Sequence, residues 1–96
     1  MAKTYWITTY RAVTNPDKLA AYDQLAGPAI AASGGKFLMR GTPVKTYEAG
    51  LNQRAVVVEF ESLAQAMACH DGPAYQAALA ALGDGAERDI RLIEGA

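Results

Sequence analysis

Aromatic and β-branched residues crowd Tyr5–Val13 (YWITTYRAV), and the stretch predicts a first strand. Its period-two alternation sets Ile7, Thr9, Arg11 and Val13 on one face and Trp6, Thr8, Tyr10 and Ala12 on the other. Neither face is clearly polar, and such a strand is usually covered on both sides. The period then changes. Leu19, Tyr22, Ala26 and Ala29/Ile30 recur at helical spacing. Asn15 can cap the first turn, Pro16 suits the first helical position, and Asp17 favours the positive helix end. Pro28 falls inside this pattern and is expected to kink or divide the helix. Gly34-Gly35 ends it.

Lys36–Arg40 predicts strand two. Gly41-Thr42-Pro43 interrupts it as a bulge or bend, Val44–Glu48 continues the extended run, and Ala49–Asn52 is a short turn. Ala55–Phe60 (AVVVEF) is the strongest strand in the chain, and the two neighbours read as an antiparallel hairpin. Ser62 and Gln65 fit a capping box for a helix to about His70. Asp71-Gly72-Pro73 breaks that helix, and Pro73 opens a second piece through about Leu82. Gly83-Asp84-Gly85 stops it. Arg88–Glu94 is the last strand, with Ile90 and Leu92 opposite Arg91 and Ile93.

The order β-α-β-β-α-β predicts an α+β, ferredoxin-like fold: a four-stranded antiparallel sheet with the helices on one face. The 96 residues form one domain, 1–96, without repeats or linkers. The helix-free face still carries many apolar side chains, more than a monomer readily exposes. A homodimer that packs two sheets together, a dimeric α/β barrel, covers them.

Composition narrows the partners. Net charge is −1 with the signs interspersed, so no basic stripe suits nucleic acid. Met1–Tyr10 holds one Lys and no long apolar run, which argues against a signal peptide or membrane span. A cytoplasmic location follows by default. Cys69 and His70 are the sole members of their residue types, so neither an internal disulfide nor a multi-cysteine metal site is expected. Gly34, Gly35 and Gly41 do not lead from a strand into a helix as a phosphate loop does, so no cofactor is expected.

Five segments together resemble the bacterial family called domain of unknown function 1330. They are Tyr5-Trp6-Ile7, the run from Gly34 to Gly41 (GGKFLMRG), the run from Val57 to Leu63 (VVEFESL), Pro73-Ala74-Tyr75-Gln76 and Leu92-Ile93-Glu94-Gly95. The resemblance spans nearly the whole chain in one register and implies a dimeric α/β-barrel fold. Proteins of that fold include small-molecule isomerases, antibiotic-synthesis monooxygenases and haem-degrading enzymes, so fold alone does not decide function. The chain departs from the family pattern at Cys69-His70, where an aromatic pair is usual, at Gly72 in place of Ser, and near Leu82, where Arg is frequent.

Arg40 and Glu59 are the candidate catalytic residues. Glu59 shares a strand face with Ala55 and Val57, away from the bulkier Val56, Val58 and Phe60, and so projects into the barrel. The Gly41–Pro43 bend could bring Arg40 beside it. A carboxylate buried there must find a partner or shift its pKa. One reading is a polar pocket between sheet and dimer partner, with Glu59 raised in pKa and moving a proton on a small acid or carbonyl compound. The other is a structural ion pair. Tyr22, Tyr75 and Trp6 are candidate pocket-lining residues, although tyrosines at helix–sheet contacts are usually core with a wet edge. His70 precedes Asp71, but neighbours on a helix point about 100° apart, so adjacency does not make a dyad. Trp6, Asn52 and His70 supply residue types found in haem-degrading sites at positions that do not match. Cys69 reads as a small buried hydrophobe. Two functions stay open: a barrel protein that binds a small organic ligand, and a non-enzymatic dimeric interaction module.

Overall fold

The computed structural model describes residues 2–96. Elements follow in the order β1 (Thr4–Val13), α1 (Pro16–Ala32), β2 (Lys36–Gly41), β3 (Ala55–Phe60), α2 (Leu63–Asp71), α3 (Pro73–Leu82) and β4 (Ala86–Glu94). The strands form one antiparallel sheet in the order β2-β3-β1-β4. The fold is the ferredoxin-like β-α-β-β-α-β arrangement, with its second helix divided at Gly72.

The helix starts follow from local chemistry. The Asn15 side chain accepts from the amides of Asp17 and Lys18, both at 3.1 Å. Ser62 Oγ accepts from the Gln65 amide at 3.1 Å. Gln65 reaches back as the capping box requires, but to the Glu61 amide (2.9 Å), one residue before the cap. Pro28 does not divide the pattern into two elements: α1 runs unbroken from Pro16 to Ala32. Pro28 has no N–H for the carbonyl four residues back. That residue, Gln24, lies on the exposed side, where solvent can serve its carbonyl. At the other end Gly34 adopts φ 86°, and a Cβ on Gly35 would stand 2.6 Å from Ile30 Cγ2 and 2.9 Å from Phe60 Cζ. Both glycines are needed to turn the chain this tightly against the core.

One sheet face carries the core. Trp6, Tyr10, Val56, Val58 and Phe60 are buried on it. Tyr22, Ala26 and Ile30 of α1, Ala66 of α2 and Tyr75 and Ala78 of α3 complete the packed cluster. Trp6 sits at its centre, its ring 4.9 Å from Tyr75 edge-on and 6.0 Å from Phe60. These rings supply the apolar burial that alanine-rich helices cannot. The opposite face holds Tyr5, Ile7, Met39, Val57 and Ile93, with Met39 and Ile93 exposed.

Two expectations for the β2–β3 connection are corrected. Residues 42–54 form no strand, so Val44–Glu48 does not prolong β2. Their largely polar neighbours offer no apolar face to bury, and Val44 and Tyr47 stand in solvent. Glu48 takes φ 53° within this loop. The bulge lies inside β2, not at Gly41–Pro43. Phe37 pairs with Val58 and Met39 with Val57, so Leu38 is the extra residue.

Candidate functional site

The Leu38 bulge decides where Arg40 points. Beyond it the side-chain parity of β2 is reversed, because one extra residue sends each later side chain to the other face. Arg40 therefore lies opposite Val56, on the helix side. Glu59 lies opposite Tyr5 and Lys36, on the helix-free side. The structure does not bring Arg40 and Glu59 together, and the expectation of a pocket built on both is corrected. Glu59 is instead held by Lys3 Nζ (3.3 Å) and the Tyr5 hydroxyl (3.2 Å). The Lys3 hydrogen bond outweighs desolvation and, with Tyr5, keeps the carboxyl below the ordinary carboxylate range. The expected rise that would make Glu59 a base near neutral pH is replaced by a fall.

The cleft of this molecule lies on the helix side, between α1 and the sheet. Its inner end is a cavity of about 20 Å³, with Trp6, Tyr10, Tyr22, Phe37, Val56 and Arg88 among its walls. That volume admits about one water-sized group. Outward, Asp23, Arg40 and Arg54 also border an open hollow of about 510 Å³, completed by Gln24, Gly41 and Thr42. Arg54 clamps Asp23 across the mouth with two hydrogen bonds of 2.7 and 2.8 Å. Arg40 stands beside them, its guanidinium 5.0 Å over the Phe37 ring.

Arg88 is the floor of the cleft. It donates to three phenol oxygens: Tyr10 at 3.2 Å, Tyr22 at 3.1 Å and Tyr75 at 3.2 Å. It also lies 4.4 Å over the Tyr22 ring. It forms no ion pair among the described residues. Burial disfavours its charge, but the phenols of Tyr22 and Tyr75 favour it more, and the net shift is upward. The Tyr75 phenol is pushed far up, chiefly by burial, and stays protonated. Burial likewise raises Tyr10. The cleft thus holds three guanidinium groups and one carboxylate, and that carboxylate is already bound.

Of the residues singled out from sequence, Trp6 and Tyr22 line the cleft and Arg40 borders its mouth. Tyr75 stands behind Tyr22, the two hydroxyls 2.6 Å apart. Sequence reasoning missed Arg88, Tyr10, Arg54 and Asp23. A signal existed for two of them. Arg88 has the parity of Ile90 and Leu92, and Arg54 that of Val56 and Val58, so each is a charge on a face otherwise apolar.

The remaining candidates lie elsewhere. His70 Nδ1 meets Asp71 Oδ1 at 3.0 Å, so the two side chains do reach each other. They sit at the last residues of α2, where Asp71 is exposed and free to turn back. The pair does not line the cleft, and the His70 ring packs 5.7 Å from Trp6 and 5.3 Å from Tyr75. Cys69 is buried, and burial raises its thiol. No helix among the described residues is long and apolar enough to cross a membrane.

Solved structures of this shape come from several bacteria. A protein of unknown function from Rhodopseudomonas palustris, RPA0582, is 15% identical with a TM-score of 0.78, covering 99% of this chain and 83% of its own. SnoaB, a cofactor-independent oxygenase from Streptomyces nogalater, is 10% identical with a TM-score of 0.67, covering 100% and 95%. A dimeric protein of unknown function and ferredoxin-like fold from Bacteroides fragilis is 16% identical with a TM-score of 0.63, covering 99% and 98%. Such identities establish the fold alone. No curated relative matches the chain. The family profile described as domain of unknown function (DUF1330) matches residues 3–96, and the chain belongs to that family.

Proposed function

We propose that the protein binds a small organic molecule in the cleft between α1 and the sheet, and that it does so as a homodimer. One observation carries the binding reading. Arg88 is half-buried with no carboxylate partner among the described residues, held among phenols at the end of an aromatic cleft that opens to solvent. A structural arginine is normally neutralised by an acid, because an unpaired buried charge is costly. Two of these side chains, Tyr22 and Arg88, come from α1 and β4, and Arg40 and Arg54 stand at the entrance. If proton transfer follows binding, the cleft supplies the acid half, phenol O–H groups polarised by Arg88. Glu59, on the far face, is not part of it.

The dimer reading draws on the helix-free face, where Tyr5, Ile7, Val57, Met39 and Ile93 lie together, and on the dimeric Bacteroides fragilis protein of the same fold. A stable contact there buries roughly 1,200–2,000 Å². The alternative, a dimeric interaction module without a ligand, is favoured by the narrow inner cavity of about 20 Å³. A thermal-shift screen against small carboxylates, lactones and phenols separates the two, because a ligand that binds only the native state raises Tm. Stabilisation that Arg88→Leu abolishes supports the cleft. No stabilisation by any compound favours the module.

A further inference from the structure

The hydroxyl protons of the Arg88 cluster do not balance, and the imbalance names the ligand chemistry. A phenol oxygen accepts and carries one proton to donate. Arg88 has no acceptor to offer, so each of its three bonds uses a tyrosine oxygen as acceptor. Among the phenols the only further bond is Tyr22 to Tyr75, at 2.6 Å. It uses one of their two protons. Tyr75 is completely buried, while Tyr22 lines the cleft. Leaving a buried donor unmatched is the costlier choice. Tyr75 therefore donates to Tyr22, and the Tyr22 proton is left for the cleft. Tyr10, which also lines the cleft, accepts from Arg88 and finds no acceptor for its own proton among the described residues. Arg54 Nε is a third buried donor without a partner at the same site. Against these, the Asp23 carboxylate is taken by Arg54.

Resting on the binding reading above, we infer that the cleft recognises a planar compound through a single anionic or enolic oxygen, a phenolate or enolate, which accepts hydrogen bonds from the Tyr22 and Tyr10 hydroxyls over Arg88. The size of the inner cavity suits that headgroup: about 20 Å³ admits about one water-sized group, such as a single oxygen. The body must then lie in the outer hollow, where the guanidinium planes of Arg40 and Arg54 select a flat, electron-rich one.

The test uses 4-nitrophenol and 4-nitroaniline, similar in shape, with an oxygen acceptor on one and an amino donor on the other. Trp6 is the only tryptophan and lines the cleft, so quenching of its fluorescence reports occupancy. The expected result is binding of nitrophenolate at least about tenfold tighter than nitroaniline, which is about 1.4 kcal/mol. The bound phenol then ionises at lower pH than the free one, read from its absorbance. Tyr22→Phe should abolish most of that preference. Tyr10→Phe, which leaves the Tyr22–Tyr75 bond intact, should do the same if Tyr22→Phe fails to fold. Quenching by both probes with equal affinity, or a preference untouched in both folded variants, overturns the donor assignment while leaving the cleft as a binding site. Quenching by neither overturns the binding reading itself, and this inference with it.

Discussion

The hydroxyls of Tyr22 and Tyr75, carried by α1 and α3, meet 2.6 Å apart above the Arg88 guanidinium. Each phenol also accepts from Arg88, at 3.1 and 3.2 Å. Three elements, α1, α3 and β4, are thus fastened at one point. Tyr75→Phe keeps the ring but strands the Arg88 Nη2 donor. The expected loss is about 1–2 kcal/mol, a Tm fall of roughly 4–16 °C for a domain of this size. Thermal denaturation followed by circular dichroism reads it, and an unchanged Tm would mean the contact adds nothing.

Acid should weaken the protein through two lysine-bound carboxylates. Glu59 and Asp84 are both held below their ordinary values of 4.5 and 3.8, first by hydrogen bonds from Lys3 and Lys18 respectively. A carboxylate with a depressed folded-state pKa adds stability that is fully present above its unfolded value. That stability is lost as pH falls through the folded value. Tm should therefore hold between pH 7 and 5 and fall below about 4.5. The double variant Glu59→Gln, Asp84→Asn should flatten that fall, and added salt should shrink it.

The helix-free face should govern association. Val57 lies between Ile7 on β1 and Met39 on β2 in the middle of that face. Val57→Lys places a charge where two sheets would meet, at a cost of several kcal/mol for burial without a partner. Sedimentation should show a dimer for the wild type and a monomer for the variant. A wild-type monomer at micromolar concentration would refute the homodimer.

The Arg54–Asp23 clamp should slow entry to the cleft. Asp23→Asn keeps the shape and removes the charge that holds Arg54. Stopped-flow quenching of Trp6 by nitrophenolate should show faster association than in the wild type, with Arg54 freed to meet the anion. An equal or slower rate would show that the clamp is not a barrier.

Removing the Ser62 cap should cost about 1 kcal/mol, since its hydroxyl serves the Gln65 amide at the start of α2. Ser62→Ala in urea should shift the midpoint without changing the slope. A change of slope would place the effect in the unfolded state.

Most of the elements and most of their ends are legible along the chain. Alternation in Tyr5–Val13 and Ala55–Phe60 is local, and so are the side chains that cap α1 and α2. Each rests on chain neighbours within a few residues, which is why it can be read along the line. Tyr22 was also legible as inward-facing, because it recurs at helical spacing with Leu19, Ala26 and Ile30. The site depends instead on pairings between strands. Pairing with β3 set the Leu38 bulge, and that single extra residue turned Arg40 away from Glu59. The meeting of Arg88 with Tyr10, Tyr22 and Tyr75 joins residues up to 78 positions apart. No local pattern encodes it: it exists only because β4 pairs with β1 beneath α1 and α3, and there a charge on an apolar face finds hydroxyls instead of an acid.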